Sequence, residues 1–295
     1  MNNKTKSLIE IHIAVLLFGL AGLFGKFISL PSTIIVLGRV FFASIALGTV
    51  LSVTKQSFKL KAVKDYFYLG ILGVILAIHW TTFFQSIKVS TVAVGLLSYS
   101  TFPVFTTFIE PLIFKEKLLK RNVILAFVTL FGVALIIPKF ELANNITQGV
   151  IWGTISGFTF AVLSILNRKL VKKYSGLIIA FYQDGVAMLA LLPFFFLTRP
   201  QFQIKDILLL ILLGVLFTAL SHTLFIRGLA NIKAQLASII ASLEPVYGVI
   251  FAFLFLNEIP AFRTLIGGSV ILIATFVATN DFSQLRKVKN RARET

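Results

Sequence analysis

The chain has 295 residues, 57% of them hydrophobic and only 13% charged, with a mean hydropathy of +0.94. A soluble domain needs about 25% charged residues to cover its surface, so a soluble globular protein is excluded. The formal net charge of +17 raises nucleic acid as a partner, while the absence of cysteine excludes disulfides, thiol chemistry and cysteine-ligated metals.

The charges are clustered, and between the clusters lie runs without Asp, Glu, Lys or Arg, among them 66–87, 89–109, 142–167, 207–226 and 264–280. Apolar runs of roughly 18 or more residues reach across a bilayer as helices. Ten spans are predicted, at roughly 8–28, 33–53, 66–87, 89–114, 121–138, 147–168, 175–198, 205–227, 233–257 and 262–280. Lys4 and Lys6 before the first span resemble the start of a signal peptide. No A-x-A-like cleavage site follows and the segment has a counterpart in the second half, so its retention is expected. The unbroken apolar stretch 207–213 does not alternate as a membrane β-strand would. The short connections leave no room for a separate soluble domain.

The two halves repeat one another. An offset of 142 relates Phe18 to Phe160, Lys26 to Arg168, Thr81 to Thr223, Phe83 to Phe225, Ser100 to Ser242, Pro103 to Pro245 and Glu116 to Glu258. Duplication within a hydrophobic chain is characteristic of transporters whose substrate site lies between the repeats. Five spans per repeat is an odd number, so the halves cross the membrane in opposite directions. The expected units are a first repeat over 1–140, a second over 141–281 and a basic tail over 282–295.

The basic charge follows this topology. With the N-terminus in the cytoplasm, only Lys26, Lys88, Lys139, Arg199, Lys205 and Arg263 of the 28 Lys and Arg fall on the opposite side, and Arg39 lies within a span. This is the positive-inside pattern with both termini cytoplasmic. Topology therefore accounts for the charge and leaves no role for nucleic acid. The basic tail is placed to touch anionic lipid heads.

Three stretches carry a family likeness: 237–247 with its continuation to Asn257-Glu258; its first-half copy 94–104, continuing to Lys115-Glu116-Lys117; and Phe18-Gly19 through Lys26. In their order, duplication and spacing the chain resembles the EamA-type members of the drug/metabolite transporter superfamily. One departure is Asn257-Glu258-Ile259-Pro260, where a more basic segment is expected. The resemblance implies a secondary transporter of the cytoplasmic membrane, typically an exporter of amino acids or other small metabolites, working by alternating access. It implies a central cavity lined mainly by spans 1, 3, 4, 6, 8 and 9. The expected fold is thus an all-α integral membrane protein: ten transmembrane helices as two inverted five-helix repeats around a central cavity. Its partners are a small-molecule substrate and the lipid bilayer; monomer and homodimer both fit.

Ionisable groups within apolar runs are the sharpest site signal, because charge is costly in lipid. Glu244 lies in span 9, His79 beside Trp80 in span 3, and His222 in span 8. Histidine titrates near neutrality, so His79, His222 and Glu244 are candidates for proton coupling; the alternative for each histidine is a neutral ring hydrogen-bonded between helices. His79, Trp80, Tyr99, Glu244 and Tyr247 form the expected substrate site. Phe83, Trp152 and Phe225 are further aromatics on cavity-lining spans. Pro103 and Pro245 are expected to kink spans 4 and 9 and free backbone carbonyls. Arg39 and Asp184 either pair structurally or bind a zwitterion. Lys26 and Glu110 lie near span ends, and Glu116 and Glu258 read as membrane-boundary anchors. The glycine stripe Gly149, Gly153, Gly157 on span 6 reads as close packing or as a moving contact.

An enzyme would need convergent acid–base or metal groups at one depth. No His-Glu-x-x-His, paired acidic motif or phosphate-binding glycine loop is present, and the three histidines are scattered. No catalytic residue, metal or cofactor is therefore expected. An uncoupled facilitator and, from another class, a membrane-embedded lipid-modifying enzyme are the competing functions.

Overall fold

The structure is a computed structural model that describes residues 2–114, 120–139, 141–232 and 234–279. Lys115, Glu116, Lys117 and the 282–295 tail lie outside the described residues. Among the described residues every regular element is helical.

Local signals start and stop the helices. The Asn2 carboxamide accepts from Lys4 N–H and opens α1, Asn3–Gly22, which runs through Leu23 into the short α2, Phe24–Phe27. Pro31 precedes α3, Ser32–Val53, and α4 spans Val63–Val89. The Thr91 hydroxyl accepts from Val94 N–H and caps α5, Val92–Tyr99, which is followed by α6, Phe102–Phe114, and α7, Lys120–Ile136. Asn144 caps α8, Asn145–Leu170, and Ser175 caps α9, Gly176–Thr198. Such oxygens satisfy the orphan N–H groups of a first turn.

In α10, Ile204–Gly214, the Asp206 carboxylate accepts from Gln203 N–H at 3.1 Å. A π-helical segment, Val215–Leu220, joins α10 to α11, Ser221–Gly228. The last elements are α12, Ala234–Ala241; α13, Glu244–Leu256; and α14, Phe262–Thr279. Among the described residues seven helical runs are long and apolar enough to cross a membrane: 3–27, 32–53, 63–89, 92–114, 145–170, 176–198 and 204–228. Shorter apolar helices cover 123–136, 244–256 and 262–274. Large apolar side chains such as Leu112, 80% exposed, and Leu197, 77% exposed, face outward, as a hydrocarbon surround requires.

Packing follows a simple scheme. The helix α4 lies on α8, and α1 lies on α11; α5 and α6 lie on α8, and α12 and α13 lie on α1; α3 pairs with α9 and α7 with α14. Small residues permit the tightest of these approaches. A Cβ on Gly157 of α8 would stand 2.7 Å from the Tyr99 carbonyl, and one on Gly19 of α1 would stand 2.9 Å from the Glu244 carbonyl. Both glycines thus press against a place where a neighbouring helix is interrupted.

Those interruptions refine the proline expectation. The chain turns at Ser100 and Thr101 before Pro103, and at Ser242 and Leu243 before Pro245. Each proline therefore sits in the first turn of a new helix, α6 or α13, and not in a helix interior. There its missing N–H leaves no bond unmade and its fixed φ suits the helix. The prolines that do stand inside helices are Pro111 and Pro193.

Candidate functional site

The two interruptions face a small central cavity of about 30 Å³. This is room for a water or two. Its lining comes from α1, α3, α4, α5, α8, α11 and α13, and includes Arg39, His79, Trp80, Tyr99, His222 and Glu244. The second span, through α3 and Arg39, adds to the spans implied by the resemblance. Phenylalanines 18, 83, 160 and 225 supply apolar walls, and Ser164 and Asn167 of α8 add polar atoms.

Arg39 is 1% exposed and forms no ion pair within 4 Å among the described residues. Its Nε donates to Thr218 Oγ1 at 2.9 Å, and its Nη2 reaches the Phe217 carbonyl at 3.4 Å. The guanidinium lies over the Trp80 ring, 3.8 Å from its centre, a cation–π contact strengthened by desolvation. The π-helical segment supplies both partners. Thr218 Oγ1 donates five residues back to the Leu213 carbonyl at 2.7 Å. Single π-helical turns recur at functional sites because they break the regular ladder.

The two site histidines differ. His79 Nδ1 lies 3.0 Å from the Ser156 carbonyl and 2.9 Å from Ser156 Oγ, and its ring packs 5.2 Å from Phe160 and 5.7 Å from Tyr99. His222 stands edge-on to Trp80 at 5.3 Å. Its Nδ1 is 3.3 Å from Asp184 Oδ1, but the pair is misaligned for a hydrogen bond, and neither Asp184 oxygen has a hydrogen-bond partner. Asp184 is fully buried in α9.

Glu244 is the first residue of α13 and 3% exposed. Tyr99 and Glu244 line the same cavity, and the Glu244 Oε2 is buried without a hydrogen-bond partner. A carboxylate suits this helix N-terminus. Asp184 and Glu244 are the acidic groups whose charges act on Arg39.

Not every expected site residue meets here. Tyr247 does not line the cavity; it is half-buried and packs over Gly19. Trp152 is 37% exposed on the outer face of α8 and is also absent from the lining. Arg39 and Asp184 carried a sequence signal as charges inside apolar runs. Ser164 and Asn167 carried none, since polar residues of that kind are common in membrane helices.

The two ends of the molecule are built differently. At one end a hollow of about 850 Å³ is lined in part by Asn3, Lys6, Glu10, Tyr174 and Arg227. Arg227 pairs with Glu10 at 2.8 Å, Lys173 and Tyr174 both bond Asp65, and Arg168 pairs with Glu110 at 2.5 Å. At the other end the chain is pinned to backbone. Lys26 Nζ donates to the Ser90 carbonyl at 2.7 Å, and Lys88 Nζ to the Ile28 carbonyl at 3.3 Å. Glu258 accepts from Val92 and Ala93 N–H, each at 3.1 Å, and so caps α5.

A profile described as the EamA-like transporter family matches residues 5–137 and again 147–280. The chain belongs to the EamA-like transporter family. An uncharacterized transporter of Archaeoglobus fulgidus is 28% identical over 197 residues, 67% of this chain and 70% of that protein. The uncharacterized transporter YxxF of Bacillus subtilis is 24% identical over 283 residues, 94% of this chain and 90% of its own length. A Rickettsia conorii protein named as an S-adenosylmethionine uptake transporter is 25% identical over 264 residues, 87% of this chain and 85% of its own. A solved crystal structure superposes with a TM-score of 0.68 over 94% of this chain and 97% of its own, at 16% identity, which shows the shared fold. The relatives' names support a membrane transporter acting on a small molecule. The word "uptake" in the Rickettsia name runs against the export direction that the resemblance implied.

Proposed function

We propose that this EamA-family protein is a secondary transporter that carries a small organic metabolite across the cytoplasmic membrane by alternating access, with proton exchange at the central cavity. The proposed topology is ten transmembrane helices with both termini cytoplasmic, as two inverted five-helix repeats over 1–140 and 141–281. The packing scheme supports it: the 142-residue offset exchanges the α4–α8 contact with α11–α1, and the α5/α6–α8 contact with α12/α13–α1. The same offset maps the pairs α3–α9 and α7–α14 onto themselves. On this topology the hollow of about 850 Å³ is an inward-facing vestibule and the backbone-pinned end is closed outward.

The observation that carries the reading is the buried set Arg39, His222 and Glu244, drawn from both halves to line one cavity, with the buried Asp184 beside His222. Ionisable groups at such depth are expensive and mark substrate or proton paths. The roles proposed are substrate contact for Trp80, Tyr99 and Glu244, support of the cavity wall for His79, and proton exchange for His222 with Asp184, and for Glu244.

The test is purified full-length protein in vesicles, assayed for counterflow against a panel of common amino acids and S-adenosylmethionine, with and without an imposed pH difference. Saturable exchange of a panel solute, accelerated or driven uphill by the pH difference with proton movement, is expected. Exchange indifferent to pH would replace proton coupling with an uncoupled facilitator. No exchange of any solute sinks the transport reading.

A further inference from the structure

We propose that a groove on the outer face of α3, α9 and α10 binds one anionic phospholipid, with an acyl chain in the groove and the phosphate at Arg199 and Lys205. The inference goes beyond transport and stands or falls by lipid binding alone.

The groove is a hollow of about 570 Å³, within the range of roughly 300–1,000 Å³ that small-molecule sites occupy. Gly38 of α3 and the buried Leu210 of α10 form its floor, and Phe41, Leu192, Phe195 and Phe202 stand in its walls. Every lining residue is apolar or glycine. The Phe195 and Phe202 rings stack with centres 6.3 Å apart across the connection between α9 and α10. The wall residues are exposed, so the hollow opens away from the protein.

In a bilayer such a hollow fills with hydrocarbon, because lipid chains are as apolar as its walls. A particular lipid is singled out by the charges at its end. Arg199 and Lys205 flank the α9–α10 connection, each within three residues of the lining Phe202. Both are exposed, and neither forms an ion pair among the described residues. The neighbouring acid, Asp206, is buried, and its carboxylate accepts from Gln203 N–H at 3.1 Å. Two cations are thus left to meet a phosphate from outside the chain, and a guanidinium fork matches phosphate geometry. Basic pockets between membrane helices hold anionic head groups in this way.

The backbone adds an independent observation. Arg199 ends α9 in the left-handed conformation, with φ 44° and ψ 58°. That position favours glycine or asparagine, and a larger residue there is strained. The chain keeps an arginine where the backbone alone would take glycine. On the proposed topology this is also the outward side, where the positive-inside pattern makes Lys and Arg scarce.

The groove adjoins the central site. Gly38 precedes Arg39, and a Cβ on Gly38 would stand 2.7 Å from Leu210 Cδ1. One turn on, a Cβ on Gly214 would stand 2.7 Å from the Arg39 carbonyl. The α3–α10 contact that a bound chain covers is continuous with the one that brings Arg39 to Thr218. A lipid held here braces the helix that carries Arg39.

The experiment uses full-length protein in an uncharged detergent, titrated with phosphatidylglycerol or phosphatidylcholine of identical acyl chains. Bound lipid is counted by mass spectrometry of the intact complex, and melting temperature is read alongside. Wild type should hold one phosphatidylglycerol about 10-fold tighter than phosphatidylcholine, the scale expected of two surface cations, and melt higher with it bound. Arg199→Gly with Lys205→Gln should remove the preference. Without lipid that variant should melt no lower than wild type, since glycine relieves the left-handed backbone. Leu192→Trp, which fills the groove, should weaken both lipids. Equal binding of the two lipids by wild type overturns the proposal, as does a preference that survives the double substitution. Undiminished binding to Leu192→Trp places the lipid elsewhere and also overturns it. A changed oligomeric mass on Leu192→Trp, with no headgroup preference in wild type, overturns it in favour of a second copy of this chain. None of these outcomes bears on the transport reading, which the counterflow assay tests separately.

Discussion

His79 and His222 sit on the same turn of the two repeats, yet they are different chemical objects. His79 is a ring whose Nδ1 is already satisfied by Ser156 and whose faces are covered by Phe160 and Tyr99. His222 faces a buried carboxylate that has no other partner. A satisfied ring is held as a structural strut; an unsatisfied ring beside an acid has somewhere to send a proton. Duplication therefore supplied two similar positions, and the second half's neighbours leave one of them, His222, without a hydrogen-bond partner beside a buried carboxylate; the proposed proton role rests on that difference. Asp184 has no acidic counterpart in the first half, since the 142-residue offset places Phe42 there.

The sharpest test of this difference is Asp184→Asn. Proton-driven transport should be largely lost while pH-independent counterflow remains, measured as initial rates under an imposed pH difference; transport that keeps its full response to pH would make His222 no more special than His79.

Next in size is the direct comparison of the histidines. His222→Gln should abolish the response of transport to pH while leaving pH-independent counterflow measurable. His79→Gln should lower thermal stability by about 1–3 kcal/mol through a lost buried hydrogen bond and leave the shape of the pH profile unchanged. If the profiles exchange places, the assignment of strut and proton site is reversed.

A smaller effect is expected from Glu258→Gln at the pinned end. The carboxylate serves the first N–H groups of α5, and weakening that cap should cost about 1 kcal/mol, read as a lower melting temperature. Unchanged melting would show that Lys26 and Lys88 hold this end alone. Single cysteines at Lys59 and Arg263 test which end is which, because the chain has no other thiol. In intact cells an impermeant reagent should label position 263 and spare 59, and the opposite pattern inverts the topology. The smallest effect belongs to Leu208→Ala on the outer face of α10, where the side chain is 61% exposed; transport should stay within about twofold of wild type.

Much of the architecture is legible in the chain, because a bilayer demands long apolar runs and the duplication repeats them in one register. The breaks before Pro103 and Pro245 are legible as well, although the proline marks the start of the next helix and not the bend itself. The buried ionisable groups announce themselves by standing in apolar runs. Their partners do not. Arg39, Trp80 and Thr218 meet from three separate elements, and only the packing of α3 against α4 and the π-helical segment brings them together. The π-helical segment itself leaves no mark in the sequence, where Thr218 stands alone among apolar residues. Trp152 lies on a span that lines the cavity but faces away from it, because Gly153 and Gly157 define the packed face of α8 and one residue along a helix turns the side chain by about 100°. Tyr247 misses the cavity because the Gly19 surface of α1 takes its contact instead.

The immobility of Arg39 has an electrical consequence. On the proposed proton-coupled cycle, a cation anchored by Thr218, the Phe217 carbonyl and the face of Trp80 would stay in place while solute and protons move. If the cargo is a zwitterion, it contributes no net charge of its own. Each turnover then shifts only as many charges as there are protons exchanged. The membrane voltage would drive the cycle through those protons alone, by about 2.3 kcal/mol per proton for every 100 mV. A protein of this design would act as a small battery load whose current counts its protons, whichever metabolite it carries.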